Sequence, residues 1–164
     1  MAKTQDQFRG GIGYDVHPLV KGRDLILGGI PIPHDKGLLG YSDADVLIHA
    51  IIDAILGALG KGDIGKHFPD SDPVYRGADS MLLLREVVSL AHEEGFRLNN
   101  LDASIIAQKP KLTGYLGAME KRIKSVLAES SCTVNIKATT TEGLGFCGRE
   151  EGIAACAVVS LLAK

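Results

Sequence analysis

Three observations in the sequence predict an α/β (α+β) sandwich, with helices packed on one face of a mixed β-sheet. Short β-branched runs alternate with helical periods along the chain, the pattern of helices layered on a sheet. One run, Val46–Leu59, is apolar on nearly every helical face and so belongs inside the core. The C-terminal half is rich in sheet formers, with too few helices left to cover a second sheet face. That face then needs an oligomeric partner.

In order, residues 1–8 are polar, which predicts a disordered tail and neither a secretion signal nor a membrane anchor. Residues 9–164 carry no repeat or linker and are expected to form one domain. Gly10–His17 reads as a strand stopped by Pro18, with Asp15 and His17 on one side. Leu25–Ile32 reads as a hairpin turning at Gly28-Gly29, with Pro31 and Pro33 confining its second arm to an edge. Residues 33–41 form a loop into the apolar helix, for which Ser42 or Asp43 is the N-cap and Gly60 or Gly62 the stop. Asp45, His49 and Asp53 fall at i, i+4 and i+8, so one polar stripe runs along that buried helix. Buried carboxylates and imidazoles need partners.

A loop with Asp63, Asp70, Asp72 and a helix-breaking Pro69 follows. Ala78–Glu94 reads as an amphipathic helix with Leu82, Leu83, Val87, Leu90 and Ala91 inward and Gly95 at its end. Asn99–Gln108 reads as a strand and Leu116–Ala128 as a second amphipathic helix. Thr133–Thr140 and Ile153–Leu162 read as strands, although composition also allows a helix for the last.

The net charge of −2, without charge blocks, gives no electrostatic footprint for nucleic acid or an anionic membrane. Any phosphate must be held by a local site. Three cysteines without CxxC spacing predict reduced thiols and a cytoplasmic location. Val46–Leu59 is too short to cross a bilayer.

Asp15 and His17 on one strand face, with His49 on the helix stripe, make a three-ligand zinc set that leaves a fourth position open. His34, His67 and His92 lack such partners and are expected to be solvated. After a strand end, TTTE (Thr139–Glu142) and GLGFCGR (Gly143–Arg149) offer hydroxyls, freed amides, a carboxylate for a hard cation and an anion clamp. AQKPKLT (Ala107–Thr113) offers backbone groups and two lysines to a base or phosphate.

GIGYDVHPL, KGLLGYSDADVLIHAIIDAILGALGKGDIGKHFPDSDP, GADS, AQKPKL, VNIKATTTEGLGFCGR and EGIA, in this order from about Arg9 onward, resemble the 2-C-methyl-D-erythritol 2,4-cyclodiphosphate synthase family. The resemblance implies a metal-dependent phosphorus–oxygen lyase of the methylerythritol phosphate route to isoprenoids. Its substrate would be 4-diphosphocytidyl-2-C-methyl-D-erythritol 2-phosphate. It further implies a homotrimer with sheets facing the threefold axis and each active site between two subunits. The family's zinc ligands fall on Asp15, His17 and His49, and its magnesium or manganese ligand on Glu142. The cytidine pocket falls on Ala107, Gln108, Lys109, Pro110, Lys111, Leu112 and Thr113 with Thr139, Thr140, Thr141 and Glu142. The methylerythritol phosphate end falls on Tyr41, Ser42, Asp63, Ile64, Gly65, Phe68, Pro69, Asp70, Ser71, Asp72, Phe146 and Arg149, beside Asp15 and His17. Thr140 and Tyr41 are the expected catalytic donors.

Two positions depart from the family pattern. Tyr41 stands where histidine is common, and a phenol is a neutral donor where histidine can be cationic. The helix start after Tyr41 is expected to supply part of the missing positive character. GREEG stands where GRGEG is common, placing Glu150 beside Arg149, which the resemblance puts on an axial channel taking isoprenoid diphosphates. A zinc-stabilised trimeric binding protein and a zinc hydrolase are the competing classes. The open zinc position and Glu142 favour the cyclising lyase over the first, and the lack of a placed general base disfavours the second.

Overall fold

The computed structural model describes residues 7–127 and 131–164. Residues 1–6 of the expected tail, and Ala128 of the expected second amphipathic helix, lie outside them. The sheet has the order β4-β1-β7-β5-β6. Here β1 is Phe8–Lys21, β4 Lys36–Leu38, β5 Phe96–Ile106, β6 Thr133–Thr139 and β7 Gly152–Ala163. β7 runs antiparallel to both β1 and β5, and β5 is parallel to β6, so the sheet is mixed. Its inner face carries Ile153, Ala155, Ala157, Val159 and Leu161 of β7 and Leu98, Leu101, Ala103 and Ile105 of β5, all buried. A bulge between Leu98 and Asn100 lets Leu98 and Leu101, three positions apart, both face inward.

Helices α1 (Val46–Leu59), α3 (Ser80–Glu93) and α4 (Leu116–Leu127) pack on that face. A one-turn helix, α2 (Ile64–His67), follows α1, and another, α5 (Gly145–Gly148), precedes β7. Every residue of α1 is buried except Asp53 and Gly57, as its unbroken apolar character requires. The outer sheet face leaves Phe8, Ile12, Tyr14 and Val158 exposed at 66%, 69%, 58% and 49%. They sit close together, since Ile12 pairs with Val158 in the β1–β7 ladder.

Several boundaries differ from the sequence reading, each for a physical reason. β1 begins at Phe8 and runs through Pro18, whose carbonyl accepts the Leu39 amide where the strand passes from β7 to β4. Lys36–Leu38, expected as loop, is therefore a strand. The hairpin is β2 (Leu25–Leu27) and β3 (Ile30–Ile32), with Gly28 and Gly29 at φ 60° and 71°, the left-handed pair such a turn demands. The N-cap of α1 is Asp45, not Ser42 or Asp43, because the Gly28 and Gly29 amides reach the same carboxylate at 3.0 and 2.7 Å. Burial pushes that carboxyl up to about 6 against its backbone donors. Gly60, in the left-handed region, ends the helix. Leu82, expected inward, is exposed, while Met81, Leu84 and Val88 join Leu83, Val87 and Ala91 in the core. Residues 152–163 are strand, because β1 and β5 each pair with them. His34, His67 and His92 are half-buried rather than solvated, and His67 Nε2 lies 3.1 Å from the Lys61 carbonyl oxygen.

Candidate metal centre and substrate cavities

The centre depends on how closely α1 lies against β1. Odd-numbered β1 residues face the helix, and two of them are glycines. A Cβ at Gly11 would stand 1.9 Å from the Ala54 carbonyl oxygen, and one at Gly13 would stand 1.9 Å from that of Ala50. The bare strand therefore lets the helix backbone rest on it. Asp15 and His17 continue that face beyond the glycines and meet His49, one residue before Ala50.

Asp15 Oδ2, His17 Nε2 and His49 Nδ1 form a triangle with edges of 3.0, 3.0 and 3.1 Å. Zinc at its usual bond lengths of ~2.0–2.1 Å separates tetrahedral ligand atoms by about 3.3–3.4 Å. The triangle is thus one slightly contracted face of such a polyhedron. His17 Nδ1–H donates to the Leu39 carbonyl oxygen at 2.8 Å, so the neutral ring turns its Nε2 lone pair to the other two atoms, while the protonated ring donates from Nε2 to Asp15. The donor set and spacing fit a zinc ion with an open position. Burial disfavours charge on both groups, but mutual hydrogen bonds and attraction outweigh it. The Asp15 carboxyl is held well below the usual carboxylate range and the His17 pKa is raised. Positive charge is favoured at this point of the structure.

The triangle lies in the wall of a cavity of about 370 Å³, also lined by Tyr41, Ser42, Ile64, Gly65, Phe68, Asp70, Tyr75 and Leu83. Tyr75 and Leu83 were not anticipated. Leu83 reads only as a core position of its helix, and residues 73–77 around Tyr75 carry no pattern of their own, so neither has a chemical signal in its type or spacing. Asp53, the last member of the polar stripe, accepts the Ile64 amide at 2.7 Å and so fixes the α2 wall. Asp63 does not line the cavity and caps α2 through the Lys66 amide. Asp72 caps the 3-10 turn Pro73–Tyr75, and its carbonyl oxygen accepts the Tyr41 hydroxyl at 3.3 Å. Pro69, Ser71 and Asp72 do not line the cavity. At the start of α1 the Asp45 carboxylate already accepts the Ile48 amide, which sets a negative group where the sequence suggested room for an anion.

The remaining expected residues lie elsewhere in the chain. Ala107 through Thr113 with Ala138, Thr139 and Thr140 line a second cavity of about 360 Å³, which shares no residue with the first. A third, about 170 Å³ and largely apolar, is lined by Tyr14, Ile106, Thr141, Leu144, Phe146 and Cys147 among others. Exposed Glu142 sits at φ 54° and accepts the Thr140 hydroxyl at 3.2 Å, while the next amide, of Gly143, donates to Gln108 Oε1. Arg149 is paired with Glu151 at 2.9 Å, whereas Glu150 reaches Lys109 at 2.8 Å. The extra carboxylate of GREEG thus acts on the 107–113 segment rather than on its neighbour Arg149.

Among the described residues no helix is long and apolar enough to cross a membrane. The YgbB family model matches residues 8–162. The 2-C-methyl-D-erythritol 2,4-cyclodiphosphate synthase of Pelobacter propionicus is 62% identical, over 94% of this chain and 98% of that protein. That of Geotalea daltonii is 61% identical, over 92% of this chain and 88% of that protein. Among solved structures, the bifunctional IspDF of Campylobacter jejuni superposes with a TM-score of 0.93 at 43% identity. It covers 98% of this chain, which spans 43% of that longer one. A CDP complex of IspF from Plasmodium falciparum gives 0.84 at 33% identity, covering 98% of this chain and 99% of that one. On this evidence the chain belongs to the YgbB family, the 2-C-methyl-D-erythritol 2,4-cyclodiphosphate synthases, enzymes of isoprenoid biosynthesis.

Proposed function

We propose that the chain converts 4-diphosphocytidyl-2-C-methyl-D-erythritol 2-phosphate to 2-C-methyl-D-erythritol 2,4-cyclodiphosphate and CMP. The observation that carries the reading is the Asp15–His17–His49 triangle set in the wall of the first cavity. Family membership and the CDP complex of the Plasmodium falciparum relative support the cytidyl substrate. An oxygen of the 2-phosphate forms a bond to the β-phosphorus. The bond from that phosphorus to the bridging oxygen breaks, and its electron pair leaves with CMP. Nucleophile and electrophile are on one molecule, so the protein's task is to fold the substrate and hold its ends in line. Asp15, His17 and His49 would hold zinc and Glu142 magnesium or manganese, and such cations supply the positive charge that offsets two approaching phosphates. Ser42 and the Tyr41 hydroxyl stand as neutral donors at the first cavity, and Thr140 at the second.

The methylerythritol phosphate end belongs in the first cavity and the cytidine in the second. Two cavities without a common residue, and an apolar sheet face exposed among the described residues, support a homotrimer with its sheets toward the threefold axis. The first cavity of one subunit then meets the second of its neighbour. An isoprenoid diphosphate in such an axial channel would have to compete with Glu151 for Arg149.

Purified protein given the cytidyl substrate with magnesium is expected to release CMP, and light scattering to return about three times the chain mass. No CMP, or a turning-over monomer, would overturn the chemistry or the shared site respectively. Tyr41→Phe is expected to lower turnover by about 10²-fold, the scale of losing one donor to developing charge, with little change in cytidine affinity. Wild-type turnover in that variant would remove Tyr41 from the site.

A further inference from the structure

We infer that Ser80, held by Asp43, is a positioning residue that fixes His49 as a ligand through Nδ1, a role resting on the metal-site reading above. Ser80 is fully buried at the start of α3 and comes to the centre from a different element than the ligands, which lie on β1 and α1. Its Oγ lies 2.9 Å from His49 Nε2. The direction of that hydrogen bond is decided one step further out. Asp43 accepts the Asp45 amide on Oδ1 at 3.1 Å and the Ser80 amide on Oδ2 at 2.9 Å, so both oxygens act as acceptors. In its ionised form such a carboxylate is acceptor-only and has no proton to give. The short contact between Ser80 Oγ and Asp43 Oδ1 therefore consumes the only proton of the serine hydroxyl.

Toward His49, Ser80 can only accept. Nε2 must carry the imidazole proton, which leaves the Nδ1 lone pair for Asp15 and His17. Ser42 Oγ, 3.1 Å from the same Nε2, is a second acceptor, and its own proton stays available to the cavity it lines. The matching device on His17 is the Leu39 carbonyl, which accepts from Nδ1 and turns Nε2 inward. The two histidines are thus held in opposite tautomers by one backbone and one side-chain acceptor. Outer partners of this kind orient a metal-bound imidazole and raise its affinity for the ion.

The test is zinc affinity by competition with a chromophoric chelator, together with long-range proton–nitrogen NMR correlations of the imidazoles. Ser80→Ala is expected to weaken zinc binding by about 10–100-fold, with unchanged circular dichroism and assembly mass. In zinc-loaded wild-type protein the His49 proton is expected on Nε2. Wild-type zinc affinity in Ser80→Ala, or a His49 proton on Nδ1 in the loaded wild type, would overturn the assignment. The wild-type spectrum decides even where Ser80→Ala fails to fold. A wild type that binds no zinc would instead remove the metal centre itself, which separates the two failures.

Discussion

His49→Ala is expected to leave the purified protein without zinc and with turnover at background. Losing an outer partner of a ligand typically costs about 10–100-fold in metal affinity, and here one of only three protein ligands is removed, so the loss should exceed about 100-fold. Metal analysis after gel filtration reads it directly, with circular dichroism to establish that the variant is folded. Retention of stoichiometric zinc would refute the assignment of this triangle as the metal centre. The same site carries a pH signature. In the metal-free protein His17 holds its proton above the ordinary histidine range, mainly because Asp15 outweighs the cost of burial. That proton and a cation compete for one lone pair. Zinc affinity should therefore fall steadily with falling pH, starting above about 6.5. Stability of the metal-free chain follows the usual linkage. The His17 contribution is full below the unfolded value of about 6.5 and is lost as pH rises through the raised folded value. The Asp15 contribution is present above the unfolded value and disappears only in strong acid.

The second large effect belongs to Gly13. An alanine there would place its Cβ 1.9 Å from the Ala50 carbonyl oxygen and 2.8 Å from the Ala54 amide nitrogen. Neither backbone can give way cheaply. β1 is tied to β7 over an eleven-pair ladder from Phe8 to Pro18, and α1 is buried almost all round. Gly13→Ala should cost about 3 kcal/mol or more, the top of the range for overpacking, or roughly 6–12 °C of melting temperature for a domain of this size. Because His49 is joined directly to Ala50, the lifted helix should also lose zinc affinity. Gly57, on the same helix, is the control. Its Cβ would meet only the Ile12 carbonyl oxygen at 3.7 Å, an ordinary contact, so Gly57→Ala should be neutral or stabilising by about 0.5–1 kcal/mol. Equal melting temperatures for the two variants would mean that close approach does not govern this packing.

The sequence carried the fold class, the buried helix and the two faces that bear the metal trio, because each rests on a short-range period, although His49 meets Asp15 and His17 only across 34 and 32 positions. Asp15 and His17 share strand parity, and a fourteen-residue apolar helix can only be a core element. What failed was set by partners far along the chain. Ser42, Asp43 and Asp45 are all acceptable N-caps, and the choice fell to Asp45 because two amides of the Gly28-Gly29 turn converge on it. Ser80 stood in the GADS segment with no reading of its own, since its role depends on Asp43, 37 positions away. The segments expected around one substrate were legible as phosphate or base contacts. Their distribution over three cavities was not, because loop composition carries no information about which wall a loop builds.

The β1–β7 ladder also bears on how the chain is made. Asp15 stands opposite Ala155 and His17 opposite Ile153, so two of the three metal ligands lie on a strand whose long partner is synthesised last among these elements. The short β4 is the only other strand that β1 pairs with among the described residues. During translation, α1 with His49 can emerge and collapse against its neighbours long before β7 exists to hold β1 flat beneath it. Non-local pairing of this kind is slow and leaves apolar strands uncovered in the meantime. A nascent chain halted before residue 152 should therefore be unable to retain zinc, however complete its list of ligands.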